Sequence, residues 1–159
     1  MSWLDDEANE NKQKEAEQRH SEEVLRRSNW WAAILASLEK QVQAINSHEH
    51  WKKRLADVGF PLRFEQPLGS DGYMVSKSGF PAVAVEIVNK YDHVLVARDF
   101  NENPLSREFT TREKLSIATM GDHVVLITEK NETLVVPADV VQYLLKVVIE
   151  SLKITKPAS

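Results

Sequence analysis

AVAVEIVNKYDHVLVAR, residues 82–98, decides the fold. Ala82–Val88 alternates in the strand manner, with Val83, Val85 and Ile87 on one face and Ala82, Ala84, Glu86 and Val88 on the other. His93–Arg98 is a second strand, and Asn89–Asp92 between them carries turn chemistry. Strands joined this closely pair antiparallel, because a parallel pair needs a crossover of a dozen or more residues.

The same period extends outward. Leu62–Gln66 and Tyr73–Lys77 are short strands around a Gly69–Gly72 turn. Leu115–Met120, His123–Ile127 and Thr133–Val136 follow, with Arg107 and Phe109 as a further edge piece. The joins at Gly79 and Pro81, Asn101–Pro104, Gly121-Asp122 and Lys130-Asn131 are too short for helices. The expected sheet, residues 62–136, is an antiparallel meander of about 6–7 strands, either a curved sheet or a partial barrel.

Helices flank it. Pro137 can occupy a first helical turn, and a helix over 138–153 follows. Val140, Val141, Leu144, Leu145, Val148, Ile149 and Leu152 give it an apolar face wide enough to need cover on more than one side. On the N-terminal side a helix over 30–58 carries Trp31, Leu38 and Ile45 at sevens from Val24. Ile34, Leu35 and Val42 fill the three- and four-residue steps. Gly59 and Pro61 stop this helix. The fold class is therefore α+β, a long N-terminal helical segment, an antiparallel meander and a C-terminal helix packed on the sheet. This element order is similar to that of pleckstrin-homology-like barrels and of bacterial secretion chaperones. The likeness is one of order alone and implies neither a function nor site residues.

Residues 1–28 are expected to be a charged helical arm, either a solvated helix frayed or disordered at its start or a docking arm that orders on a partner. Glu10–Lys14, Glu15–Arg19, Glu22–Arg26 and Glu23–Arg27 are acid-then-base pairs four apart, the favourable helical orientation. Trp3, Leu4, Val24 and Leu25 are its few large apolar residues, so it buries little by itself. Ser28-Asn29 either caps a fresh helix or is run through. Residues 29–155 form one α+β domain, and 156–159 a loose tail.

Composition narrows the functions. The apolar fraction of 42% and charged fraction of 28% are those of a soluble globular protein. A formal net charge of −4 gives no general attraction for nucleic acid. The absence of cysteine removes disulfides, thiol nucleophiles and thiolate metal sites. The N-terminal stretch has no basic start followed by an apolar run, and no segment reaches the roughly 18 apolar residues of a membrane span, so a cytoplasmic location is expected. No phosphate-cradling loop, dinucleotide fingerprint, nucleophile elbow or HExxH is present, and no cofactor is expected.

Three constellations remain. His48-Glu49-His50 sits in helical surroundings, where residues two apart diverge by about 200° and two imidazoles do not converge on a metal. Lys52-Lys53-Arg54 beside Trp51 is a basic helical face. On the sheet, a two- or four-residue hairpin would set Val88 opposite His93 and Glu86 opposite Leu95. Glu86 and His93 would then be diagonal neighbours about 7–8 Å apart, beside the small Ala82, Ala84 and Ala97. A carboxylate–imidazole pair of that kind is the minimum for acid–base chemistry.

The reading the residues support best is a non-enzymatic interaction or assembly module that binds another protein or a second copy of itself. Trp30, Trp31, Leu38 and Ile45 are its expected anchors, because tryptophan is favoured at interface hot spots. Arg27, Gln41 and His48 interrupt the seam, which favours the protein's own sheet as its occupant, with a helix from a second copy as the rival. A small-molecule or lipid-headgroup binder using the concave face of the sheet is the second reading, and an enzyme built on Glu86 and His93 the third.

Overall fold

The computed structural model describes residues 2–56, 61–69, 71–77, 82–101 and 109–154. In chain order they form α1 (Trp3–Ser47), α2 (Glu49–Ala56), β1 (Arg63–Glu65), β2 (Tyr73–Lys77), β3 (Ala82–Asn89), β4 (His93–Asn101), β5 (Phe109–Met120), β6 (His123–Ile127), β7 (Thr133–Leu134) and α3 (Pro137–Ile154). The strand order in the sheet is the chain order, and every neighbouring pair is antiparallel. The α+β meander between helices is as expected. The expected stop at Gly59, the turns at Gly79 and Pro81 and at Pro104, the Arg107 edge piece and the tail fall outside the described residues.

The helix α1 is one uninterrupted element of 45 residues, about 67 Å at 1.5 Å per residue. Ser28 and Asn29 are run through. The expected acid–base pairs form at Glu10–Lys14 (3.6 Å), Glu15–Arg19 (3.6 Å) and Glu23–Arg27 (3.0 Å). Arg26 instead meets Glu23, three residues back, at 3.5 Å. The helix ends where His48 turns to an extended conformation (φ −69°, ψ 126°). Asn46, in the last turn, ties the helix to the start of the sheet. Its amide nitrogen donates to the Leu62 carbonyl (3.0 Å) and its oxygen accepts from the Leu62 N–H (2.8 Å), so one side chain pairs with backbone as a strand neighbour would.

The core lies between the inner face of the sheet, α3 and the C-terminal half of α1. Val75, Val83, Val85, Ile87, Val94, Val96, Leu115, Ile117, Val124 and Leu126 are the apolar strand positions of this core. From α3 come Val140, Val141, Leu144, Leu145, Val148 and Leu152, and from α1 Ile34, Leu38, Val42 and Ile45. Burying each such side chain contributes about 1.5–3 kcal/mol. The wide apolar face of α3 is thus covered on two sides, by sheet and by α1, as its width demands.

Strand boundaries shift by one to three residues at β1, β3 and β4, and the interpretation changes at β5 and β7. β5 is a single strand of 12 residues, where only Leu115–Met120 was expected, with Phe109 apart. The charged run Arg112-Glu113-Lys114 masks the pattern, but the pleat sorts it. Arg112 and Lys114 are exposed, and Glu113 turns inward to polar partners. At the other end β7 stops at Leu134. The Val136 carbonyl accepts from the N–H groups of Asp139 (3.1 Å) and Val140 (3.2 Å), so it opens α3 instead of extending the ladder.

Candidate functional site

The helix α1 changes character along its length. From Ser2 to Glu22 every residue is exposed. Glu23 is the first half-buried position, and the body grips the helix there. The Thr119 hydroxyl on β5 donates to Glu23 Oε1 at 2.6 Å. That hydrogen bond first, and then Arg27, hold the Glu23 carboxyl below the ordinary glutamate range. Arg27 Nη1 donates to the Tyr91 carbonyl at 2.9 Å, and its guanidinium lies 5.2 Å from the centre of the Tyr91 ring. Tyr91 holds the β3–β4 turn with φ +80°, a conformation that favours glycine. One turn of α1 therefore latches the tips of two hairpins.

Beyond this latch the arm runs roughly 30 Å without a partner in the chain among the described residues. It ends on Trp3, 71% exposed, and Leu4, 59% exposed. Residues 3–22 hold seven carboxylates and three cations, so the formal net charge of −4 resides on the arm and the remainder of the chain sums to zero. Leu25, 62% exposed, stands beside the latch.

The expected anchors divide. Leu38 and Ile45 are interior, packed in the protein's own core, so the seam meets α3 and the sheet. Trp30 and Trp31 are half-buried at its edge with ring centres 6.1 Å apart, and the Trp30 indole nitrogen is buried with no acceptor among the described residues.

At the far end of α1 a groove of about 410 Å³ opens between α1, α2 and α3. Gln41, Ala44, Ile45 and His48 line it from one side and Val141, Leu145 and Ile149 from the other, with Trp51 at its end. A second depression of about 490 Å³ follows the opposite flank of α3, where Asp139, Lys146, Glu150 and Lys153 mix their charges. His48 and His50 have local work. His48 Nδ1 accepts from the His50 N–H at 3.2 Å, and the His50 ring meets Trp51 edge-on at 4.6 Å. Among the described residues no three His, Asp or Glu side chains gather as a metal site would require.

The β3–β4 register corrects the expected juxtaposition of Glu86 and His93. Val88 pairs with Leu95 and Glu86 with Ala97. The Lys90 N–H donates to the His93 carbonyl at 2.8 Å, leaving Tyr91-Asp92 as the two-residue loop. Glu86 and His93 keep the same face, but His93 lies about four residues, or roughly 13 Å, further along the strand. Its ring bonds Asp92 at 2.5 Å instead. The turn sits one residue pair later than Val88–His93 because Asn89 joins the ladder and accepts from the Tyr91 N–H at 3.0 Å.

A polar cluster not foreseen from the sequence occupies the inner face. Arg98 on β4 meets Glu113 on β5 at 3.4 Å, and the Tyr143 hydroxyl on α3 donates to the same carboxylate at 2.6 Å. The Arg98 guanidinium covers the Tyr143 ring at 5.5 Å. Desolvation and the bond to Glu113 push the phenol up to about 12. Parity was the available signal, because Arg98 follows Val94 and Val96 on one face and Glu113 precedes Leu115 and Ile117. The rest of the concave face is filled by Val140, Leu144 and Val148 of α3, each at most 1% exposed. Among the described residues no helix is long and apolar enough to cross a membrane. Comparison of this chain with protein-family models, with curated proteins and with solved structures finds no match.

Proposed function

We propose that this chain is a non-enzymatic protein-interaction and assembly module that works through α1. The observation that carries the reading is the free arm, where Ser2–Glu22 are exposed and the helix ends on an uncovered Trp3-Leu4 pair. An isolated polar helix of about 20 residues is marginal in water, and most helical stability comes from packing against something else. A large aromatic at the tip of such a helix suits an anchor that removes ~150–250 Å² from water on docking. Trp30 and Trp31, at the edge of the body, offer a second strip about 40 Å along the helix from that tip.

The test is the solution mass by light scattering over a dilution series, for the full chain and for a chain lacking residues 2–22. The expected result is a mass above one chain that falls on dilution and requires the arm. A single-chain mass for both proteins at every concentration would end the assembly reading.

A further inference from the structure

We propose that the outer face of the sheet binds a free aliphatic α-amino acid, held by its two charges between Glu86 on β3 and Arg112 on β5. The site is on the face turned away from α1 and α3 and is independent of the arm.

The strand register builds it. Glu86 pairs with Ala97, and Ala97 with Arg112, so the three side chains form one row across β3, β4 and β5. Val83, Val85 and Ile87 belong to the core under the helices, so Glu86, alternating with them, lies on the other face. Neighbouring strands are about 4.8 Å apart, which sets the Glu86 and Arg112 backbones roughly 9.6 Å apart with one alanine methyl between them. Opposite charges on adjacent strands close on each other, as Arg98 and Glu113 do at 3.4 Å on the inner face. Across Ala97 the pair stays open. Among the described residues neither the Glu86 nor the Arg112 side chain has an ion pair or hydrogen bond. A carboxylate and a guanidinium held apart over a small residue leave room for one molecule that carries both charges.

The gap is a depression of about 400 Å³, within the roughly 300–1,000 Å³ of small-molecule sites. Its charges are segregated. Glu86 is the carboxylate on the β3 side. Arg112 and Lys114 stand on the β5 side with Glu129, whose Oε1 accepts from the Lys114 N–H at 3.0 Å. Glu113, also on the border, turns its carboxylate to Arg98 and Tyr143 on the inner face. The β3 side is therefore negative and the β5 side positive. A ligand with one charge would leave one side unpaired, whereas a zwitterion satisfies both with charge-assisted hydrogen bonds. Beside the charged row the surface is apolar. Val88 pairs with Leu95 one row along from Glu86 and Ala97, and Leu95 is 39% exposed. An aliphatic side chain on the ligand would cover these two residues, which makes the ligand amphiphilic as well as zwitterionic.

L-leucine is the probe, titrated into the full chain labelled with nitrogen-15 and followed through its backbone amides by NMR. Isocaproate, which is leucine without the ammonium, and isoamylamine, which is leucine without the carboxylate, are the controls. L-leucine is expected to shift amides of β3, β4 and β5 around Glu86, Ala97 and Arg112. Each control should bind at least about tenfold more weakly, because each lacks one charge-assisted bond. Glu86→Gln and Arg112→Gln should each weaken leucine by a similar factor while leaving the rest of the spectrum in place. Ala97→Leu, which fills the gap and keeps both charges, should abolish binding. The proposal is overturned if millimolar L-leucine shifts no amide of these strands. Equal binding of either control by the unaltered chain, or undiminished affinity in any of the three variants, would overturn it as well.

Discussion

Lys77 allows a quantitative test of how the sheet is built. It follows Tyr73 and Val75 on the inward face of β2, opposite Val83, and is 2% exposed. Desolvation lowers its ammonium from 10.5 to about 8, because burial penalises the charged form. At about 1.4 kcal/mol per unit, the drop corresponds to roughly 3 kcal/mol of folding free energy. The direction follows from proton counting. Between pH 8 and 10.5 the unfolded chain holds a proton on this amine that the folded chain has released, so stability rises with pH across that window. Below pH 8 both states are protonated and the full penalty is present. The Lys77→Met protein lacks this titration, so its stability relative to the parent is expected to be about 3 kcal/mol more favourable at pH 7 than near pH 10.5. Urea unfolding of both proteins at half-unit steps from pH 7 to 10 measures it, and the difference between them cancels the other titrating groups. A difference flat in pH would refute the desolvation argument.

Asn46→Ala removes both bonds to the Leu62 backbone and is expected to lower stability by about 1–3 kcal/mol in urea melts. Asn46→Asp keeps the acceptor for the Leu62 N–H but sets a carboxylate oxygen against the Leu62 carbonyl, and should lose at least as much as Ala. Ultraviolet titration should find one of the three tyrosines ionising near 12, and Tyr143→Phe should abolish that phase. Since that phenol keeps its proton longer in the folded chain than in the unfolded one, its contribution is full below about 10 and is lost as pH rises through about 12. Tyr91→Gly relieves a left-handed residue, worth about 1–2 kcal/mol, but gives up the Arg27 contact, about 0.5–1 kcal/mol. In a double-mutant cycle with Arg27→Ala, measured by urea unfolding, the glycine should therefore be more favourable when Arg27 is already absent.

The parts of the fold that could be read from the chain are those where one physical signal acts alone. Val83-Val85-Ile87 alternates without interruption, and Val140 to Leu152 repeats at helical spacing, so β3 and α3 follow directly. The failures occur where two signals compete. Arg112-Glu113-Lys114 has the composition of a loop, yet its alternation is that of a strand, and Glu113 can turn inward because Arg98 and Tyr143 receive it. The β3–β4 register depended on whether Asn89 belonged to turn or ladder, and local composition does not separate these. The Asn89 side chain bonding to the Tyr91 N–H decides it. At the candidate site, the heptad spacing of Val24, Trp31, Leu38 and Ile45 was legible, but the occupant of that stripe was not. A seam facing its own sheet and a seam facing a second chain have the same period. The exposed tip at Trp3-Leu4 was visible as composition, and its distance from the groove depended on α1 running through Ser28-Asn29.

One helix serves as pillar and as arm, and the two duties separate at the Glu23–Arg27 turn. Ile34, Leu38, Val42 and Ile45 are 0–8% exposed and anchor the body, at about 1.5–3 kcal/mol each. Before Glu23 the helix has only exposed pairs such as Glu10–Lys14 and Glu15–Arg19, which contribute about 0.3–0.5 kcal/mol each. A chain lacking residues 2–22 should therefore keep the thermal midpoint of the intact protein at concentrations low enough to hold both as single chains. A chain cut beyond Ile34 should lose the fold. If the shorter deletion alone lowered the midpoint by many degrees, the arm would be part of the body's stability and the division at Glu23 would be wrong. An arm that adds nothing to folding yet ends on an exposed tryptophan is what the assembly proposal sets out to account for.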